Sequence, residues 1–161
     1  MIIIIESIIC CLLFTGMVYI TSRNPIKIIY NYPPKIQERV KSLKEYQNII
    51  PTKEKKLSIK LLAVFIFLLI ISFILRYING CRSFSNSFRD GYLLWTIVNL
   101  WDVLVLDIIL FCHDKHFRIK KTEDMIEEYH NYWFHIKGFL IGEVLGLMIC
   151  LIAGLLIQSF F

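Results

Sequence analysis

The chain is short of the residues that make turns and short of charge. Its 161 residues include 7 glycines and 4 prolines, and Asp, Glu, Lys and Arg together make up 19%. A soluble domain of this length could not enclose its apolar runs in a core. The five cysteines, Cys10, Cys11, Cys81, Cys112 and Cys150, form no C-x-x-C. Their scatter argues against a four-span thiol oxidoreductase and against structural disulfides. There is no H-E-x-x-H helix, no tight cluster of histidines and no nucleic-acid motif, and short alternating strands of the kind that build a membrane barrel are missing.

What is present is apolar. Hydrophobic residues reach 57% and aromatics 14%, and the mean hydropathy is +0.60. The apolar residues fall into runs at about 2–20, 57–78, 91–113 and 138–160, each near the roughly 20 residues a helix needs to cross about 30 Å of hydrocarbon. Helices satisfy their own backbone groups in lipid. The expected fold class is therefore all-α: a polytopic membrane protein with four transmembrane helices in a bundle, plus interfacial amphipathic helices. The length suits a single transmembrane domain over residues 1–161 with no separate catalytic module. The first run lacks a basic n-region and a small-residue cleavage site, so it reads as a retained span. Ile9 before Cys10 does not suit a lipoprotein signal either.

Basic residues give the orientation. Residues 21–56 carry Arg23, Lys27, Lys35, Arg39, Lys41, Lys44, Lys53, Lys55 and Lys56, and residues 114–137 carry Lys115, Arg118, Lys120, Lys121 and Lys137, whereas residues 79–90 carry only Arg82 and Arg89. The positive-inside rule places both long loops in the cytoplasm and both termini outside the cell membrane. The net charge of +5 then serves topology and contact with anionic lipid headgroups, not a nucleic acid.

Both loops carry helical patterns. Asn24-Pro25 suits a helix start and Tyr32-Pro33-Pro34 a break. "PKIQERVKSLKEYQNII" then sets Ile36, Val40, Leu43 and Ile50 at helical spacing among basic residues, for a helix that lies on the inner membrane surface or packs against the spans. In "KKTEDMIEEYHNYWFHIKGF", Thr122 suits a cap, Glu123 and Asp124 the first turn, and Met125, Tyr129, Tyr132, Trp133 and Ile136 one apolar side. This helix is expected to enter the fourth span with a bend or break near Gly138.

In that span Gly138, Gly142, Gly146, Cys150 and Gly154 recur every fourth residue, which leaves one flank nearly bare for a close helix contact, within the monomer or between protomers.

Intramembrane polar residues are costly and so need a partner or a task. "WTIVNLWDVLVLDIILFCHDKH" sets Asn99, Asp102 and Asp107 in the third span. Asn99 and Asp102 face one way, below Trp95, and Asp107 is rotated by about 140° from Asp102 on a regular helix. Either they form a polar or proton-linked site, or a neutral Asp102 bonds to Asn99 and a neighbouring backbone. Asp107 and Glu143 fall at similar depth near the inner face, where Lys60 could bridge them. Glu6 and Arg76 near the outer boundary are expected to form a structural ion pair. His113, His116 and His135 are the weakest candidates, as metal ligands just below the carboxylates, since their spacings match no metal motif. No cofactor is expected.

The segments "NPIKIIYNYPP", "WDVLVLDIILFCHDKHFRIKKTEDM" and "YWFHIKGFL" resemble those of a group of small bacterial four-span integral membrane proteins. The resemblance covers most of the chain and implies the four-span layout, but no activity, cofactor or catalytic residue. A further likeness to small multidrug exporters rests on four spans and a glutamate in the first. The chain departs from that pattern because Glu6 lies too near the outer end and the cytoplasmic loops are far larger.

The expected function is non-enzymatic: binding of a lipid, small ligand or protein partner through a polar intramembrane site, in a monomer or a homo-oligomer. Two alternatives stay open. One is a proton-coupled transporter acting as an oligomer, with Asp102 or Asp107 and Glu143 as protonatable groups. The other is a membrane enzyme acting on a lipid-soluble substrate at the cytoplasmic face through Asp107, Glu143, His113 and His135.

Overall fold

Each long apolar run folds as a helix. The structure, a computed structural model, describes residues 2–160, with the side chains of Lys53, Lys55 and Lys56 left out of the description. It is 81% helical and has no strand among those residues. Helix α1 is Ile2–Ser22, α2 is Pro34–Ser42, α3 is Lys53–Phe73, α4 is Phe84–Trp101, α5 is Ile126–Tyr129 and α6 is Tyr132–Phe160. Two of them widen into π-helix, α3 over Ile74–Ile78 and α4 over Asp102–Phe111. The segments Ile2–Ser22, Leu57–Ile78, Phe84–Phe111 and Ile126–Phe160 are long and apolar enough to cross a membrane. The chain is thus an all-α, multi-pass membrane protein of four spanning helices.

Local signals move two helix starts away from the boundaries that hydropathy suggests. Ser83 Oγ accepts the Asn86 N–H at 3.4 Å, so α4 begins at Phe84, about two turns before Gly91. Asn131 Oδ1 accepts the Phe134 N–H at 3.2 Å, which caps α6 at Tyr132. Helix α6 then runs unbroken through Gly138, where a bend or break was expected. The break falls instead at His130 and Asn131, between α5 and α6. Thr122 does not cap a helix: its hydroxyl is buried and donates to Ile119 O at 2.8 Å.

Helices α4 and α6 form the central antiparallel pair, with α1 against α4 and α3 against α6. Near the short α3–α4 connection, Ile71, Leu75, Ile149, Cys150, Ala153 and Ile157 make a core on which Phe88, Tyr92 and Trp95 pack. Elsewhere the outer faces of all four helices are apolar and exposed, the surface that lipid covers.

The two long loops fold together as a cap on the opposite end, called here the cap end. Ile26, Ile29, Tyr32, Ile36, Val40, Phe117, Ile119 and Tyr129 bury against Phe111 and Cys112 at the foot of α4. Tyr32 donates to Phe117 O at 2.9 Å, and Tyr129 accepts the Ile119 N–H at 3.0 Å. Ion pairs Lys35–Glu128, Arg39–Asp124 and Lys121–Glu45 join one loop to the other. Ile36 and Val40 on α2 are fully buried, so the apolar face of this basic helix packs inside the protein instead of lying on lipid.

Candidate functional site

The chemistry concentrates on the face where α4 meets α6. Tyr92, Trp95, Thr96 and Asn99 lie at i, i+3, i+4 and i+7 of α4, so they share one side of it. Opposite them, the glycines of α6 allow the backbones to come close. A Cβ placed on Gly142 would meet Asn99 Oδ1 at 2.7 Å, and one on Gly146 would meet Trp95 Nε1 at 2.0 Å. Gly154 faces Phe84 in the same way, while Gly138 has open space beside it. Within one chain, then, Gly142, Gly146 and Gly154 admit α4.

That close approach lets α4 hold Glu143. Tyr92 Oη donates to Glu143 Oε2 at 2.9 Å, Thr96 Oγ1 to the same oxygen at 3.0 Å, and Asn99 Nδ2 to Oε1 at 2.7 Å. Asn99 Nδ2 is also 3.1 Å from Phe139 O, and Trp95 Nε1 donates to Gly142 O at 3.1 Å. The carboxylate therefore rests on three neutral donors and one face of a helix. Tyr92 and Thr96, which sequence reasoning did not single out, supply two of the three. Their signal was the polar i, i+4 pair beside Asn99 and opposite the glycine flank.

One level nearer the cap, His135 Nδ1 lies 3.1 Å from Asp107 Oδ2. His135 is 3% exposed, its ring edge-on to Phe111 at 5.0 Å between centroids, and its Nε2 has no hydrogen-bond partner among the described residues. Asp107 thus pairs with a histidine on α6, while Glu143 sits two helical turns beyond that histidine. The two carboxylates do not share a site. Lys60 is exposed on α3 and bridges neither of them.

Asp102 is the exception on this face. It is half-buried, and among the described residues nothing hydrogen-bonds its carboxylate, Asn99 being directed to Glu143 instead. It lies within electrostatic reach of Asp107 and His135. The cause is the helix type. In a π-helix the backbone bonds run i to i+5, as Cys112 N–H to Asp107 O does here, so residues five apart lie nearly above one another. Asp107 falls on the same flank as Asp102 and not on a different one.

The other candidates sit apart. Glu6 Oε2 accepts from Asn79 Nδ2 at 3.2 Å and not from Arg76, whose guanidinium stands 5.9 Å from the Tyr77 ring centre. His113 lies beside His130, with ring centres 4.9 Å apart, and its Nε2 is 3.4 Å from Tyr132 Oη. His116 stacks on Tyr19 at 4.5 Å, tying α1 to the cap. These histidines do not converge, and no group of three or more His, Cys, Asp or Glu among the described residues is placed to hold a metal. An apolar cleft of about 190 Å³ between α1 and α4, lined by Ile4, Ser7, Cys11, Leu12, Ile97 and Trp101, faces the lipid side. In the cap, burial pushes the Tyr32 phenol up and the Arg118 guanidinium down. Arg118 lies 3.9 Å from the centre of the Tyr129 ring and donates to Cys112 O.

Compared with known proteins, the chain matches no family model, and neither a curated protein nor a solved structure resembles it significantly.

Proposed function

We propose that this protein is a non-enzymatic membrane protein that binds a lipid-like or small amphipathic ligand through the polar seam between α4 and α6, with Asp102 as the anchoring group. The observation that carries this reading is the contrast among three carboxylates on one surface. Glu143 has three donors, Asp107 has His135, and Asp102 has none among the described residues. An intramembrane carboxylate that keeps an accessible face and lacks a donor favours a ligand with a cationic or hydrogen-bond-donating head. The ten-residue π segment that begins at Asp102 supports a functional role, because π geometry is rare and concentrates at such sites. The small bacterial four-span proteins that the sequence resembles give the layout and leave the ligand open.

In this reading the cap lies in the cytoplasm and both termini outside, as the loop lysines and arginines favour. Its unpaired basic residues then meet anionic headgroups. The test is native mass spectrometry of the protein released from its own membranes. Wild type should retain a non-protein mass that Asp102→Leu loses while its helix content is unchanged. Equal retention by both would remove Asp102 from the site.

A second reading has its own observation. Asp102, Asp107 and His135 form a run of protonatable groups on one flank, which suits a proton-linked carrier. Proton uptake on ligand binding, measured in weakly buffered liposomes, separates the two. Uptake that vanishes in Asp107→Asn favours transport, and binding without uptake favours the first reading.

A further inference from the structure

Helix α3 packs on the central pair along one stripe. Leu75 and Ile71 are buried, Phe67 and Val64 are half-buried, and from Leu57 to Ala63 every residue is exposed. The helix therefore leaves α4 and α6 below Val64, over the half nearest the cap. Lys60 lies one turn before Val64 and seven residues before Phe67, so it continues the same packing stripe.

The contact between Phe67 and Trp95, edge to face at 5.0 Å, fixes the level of the two antiparallel helices α3 and α4. Seven residues toward the cap from Phe67 is Lys60, and seven residues toward the cap from Trp95 is Asp102. Both steps are about 10 Å and close to two full turns. Lys60 and Asp102 thus lie at one depth, on facing stripes, and neither has a partner among the described residues. The other charged groups on this flank are Asp107 and His135, nearer the cap, which hold each other, and Glu143, two turns from His135 on the far side, which has its own donors.

We propose that the cap-end half of α3 is a movable wall of the α4–α6 seam and that Lys60 closes it by pairing with Asp102, so that lysine and ligand compete for one carboxylate. The inference rests on the binding reading above. The closed state satisfies an intramembrane cation and anion together, which is the arrangement that lipid demands of both. The open state exposes the Asp102 carboxylate to a ligand head. Phe67, Ile71 and Leu75 form the fixed part of the helix.

Two measurements on the full chain in lipid nanodiscs test it, with dodecylamine as the probe. If Lys60 competes with the probe, Lys60→Met tightens dodecylamine binding by about fivefold and Asp102→Asn weakens it by at least about tenfold. The thermal cycle needs no ligand. Lys60→Met, Asp102→Asn and the double variant should show non-additive shifts in Tm, the double falling no further than Asp102→Asn alone, and Lys60→Asp with Asp102→Lys should recover much of the loss. Unchanged dodecylamine affinity in Lys60→Met with strictly additive Tm shifts overturns the latch and leaves the binding reading intact. Absence of dodecylamine binding in every variant, with a non-additive cycle, upholds the pairing and rejects an amine ligand.

Discussion

Asn99 and Glu143 meet across the central helix pair, amide nitrogen to carboxylate oxygen at 2.7 Å, at the level where Gly142 replaces a side chain by space. The contact shows how a short membrane protein can keep a carboxylate inside. Two backbones come close because one of them carries glycine, and the side chains of the other then reach over it as donors. Neither half works alone, since a larger residue at 142 would displace Asn99 and a smaller one at 99 would leave Glu143 with less.

Glu143→Leu should therefore destabilise more than Glu143→Gln. Leucine leaves the Tyr92 and Thr96 hydroxyls without the carboxylate and Asn99 with Phe139 O alone, a loss of about 1–3 kcal/mol, whereas glutamine keeps one oxygen for them. Thermal unfolding in a defined detergent measures both, and equal shifts would contradict the geometry.

Along the glycine flank the effects should differ by position. Gly146→Ala drives a methyl into the Trp95 indole, which Phe67 and Gly142 O hold in place, and should cost about 1–3 kcal/mol. Gly138→Ala meets open space and should stay within about 0.5 kcal/mol of wild type. A reversed order would mean that α6 uses this flank for another contact.

The cap has its own anchor in Tyr129, whose oxygen accepts from Ile119 N–H and lies 2.7 Å from the Thr122 hydroxyl. Tyr129→Phe leaves a buried N–H without an acceptor and should cost about 1–3 kcal/mol. Limited proteolysis should then cut the two long loops faster while the spanning helices stay intact.

Ion pairs between the loops make the cap sensitive to pH and salt in a direction that can be worked out. The Lys121 ammonium holds the Glu45 carboxyl below its usual 4.5, so that stabilisation is present above this value and is lost as pH falls through the lowered one. Glu128 holds the Lys35 ammonium above its usual 10.5, so its share is present below that and is lost as pH rises through the raised value. Near-ultraviolet circular dichroism of the cap tyrosines should be flat between these limits and fall beyond each. Because the pairs are exposed, 1 M salt should soften both edges.

Much of the architecture could be read from the sequence because hydropathy and helix length leave few choices. The four spans come from hydropathy and the close flank of α6 from its glycine spacing, whereas the first loop helix ends at Ser42, short of Leu43 and Ile50, and the second is only Ile126–Tyr129. What periodicity could not supply was phase and register. A regular 100° step puts Asp102 and Asp107 on different sides, but the π segment over Asp102–Phe111 resets the step and brings them to one flank. Hydropathy placed the start of the fourth span at Gly138, whereas Asn131 caps α6 at Tyr132. The slide of about two turns sets His135 opposite Asp107 and Glu143 opposite Asn99, and it removes the expected meeting of Asp107 with Glu143. Glu6 was matched to Arg76 by charge, and the structure gives it the amide of Asn79. Lys60 was expected to bridge Asp107 and Glu143, but it is exposed on α3 while Asp107 pairs with His135 and Glu143 with the donors of α4.

The most direct test of the central claim is a high-resolution map of the protein in native lipid, inspected between α3, α4 and α6 at the level of Asp102. The account predicts ordered non-protein density with a head group against that carboxylate, or, where no ligand is held, the Lys60 side chain drawn in to it. A dry interior in which Asp102 bonds only to neighbouring backbone, with Lys60 directed into lipid, would contradict it and make the carboxylates of this seam elements of helix packing alone.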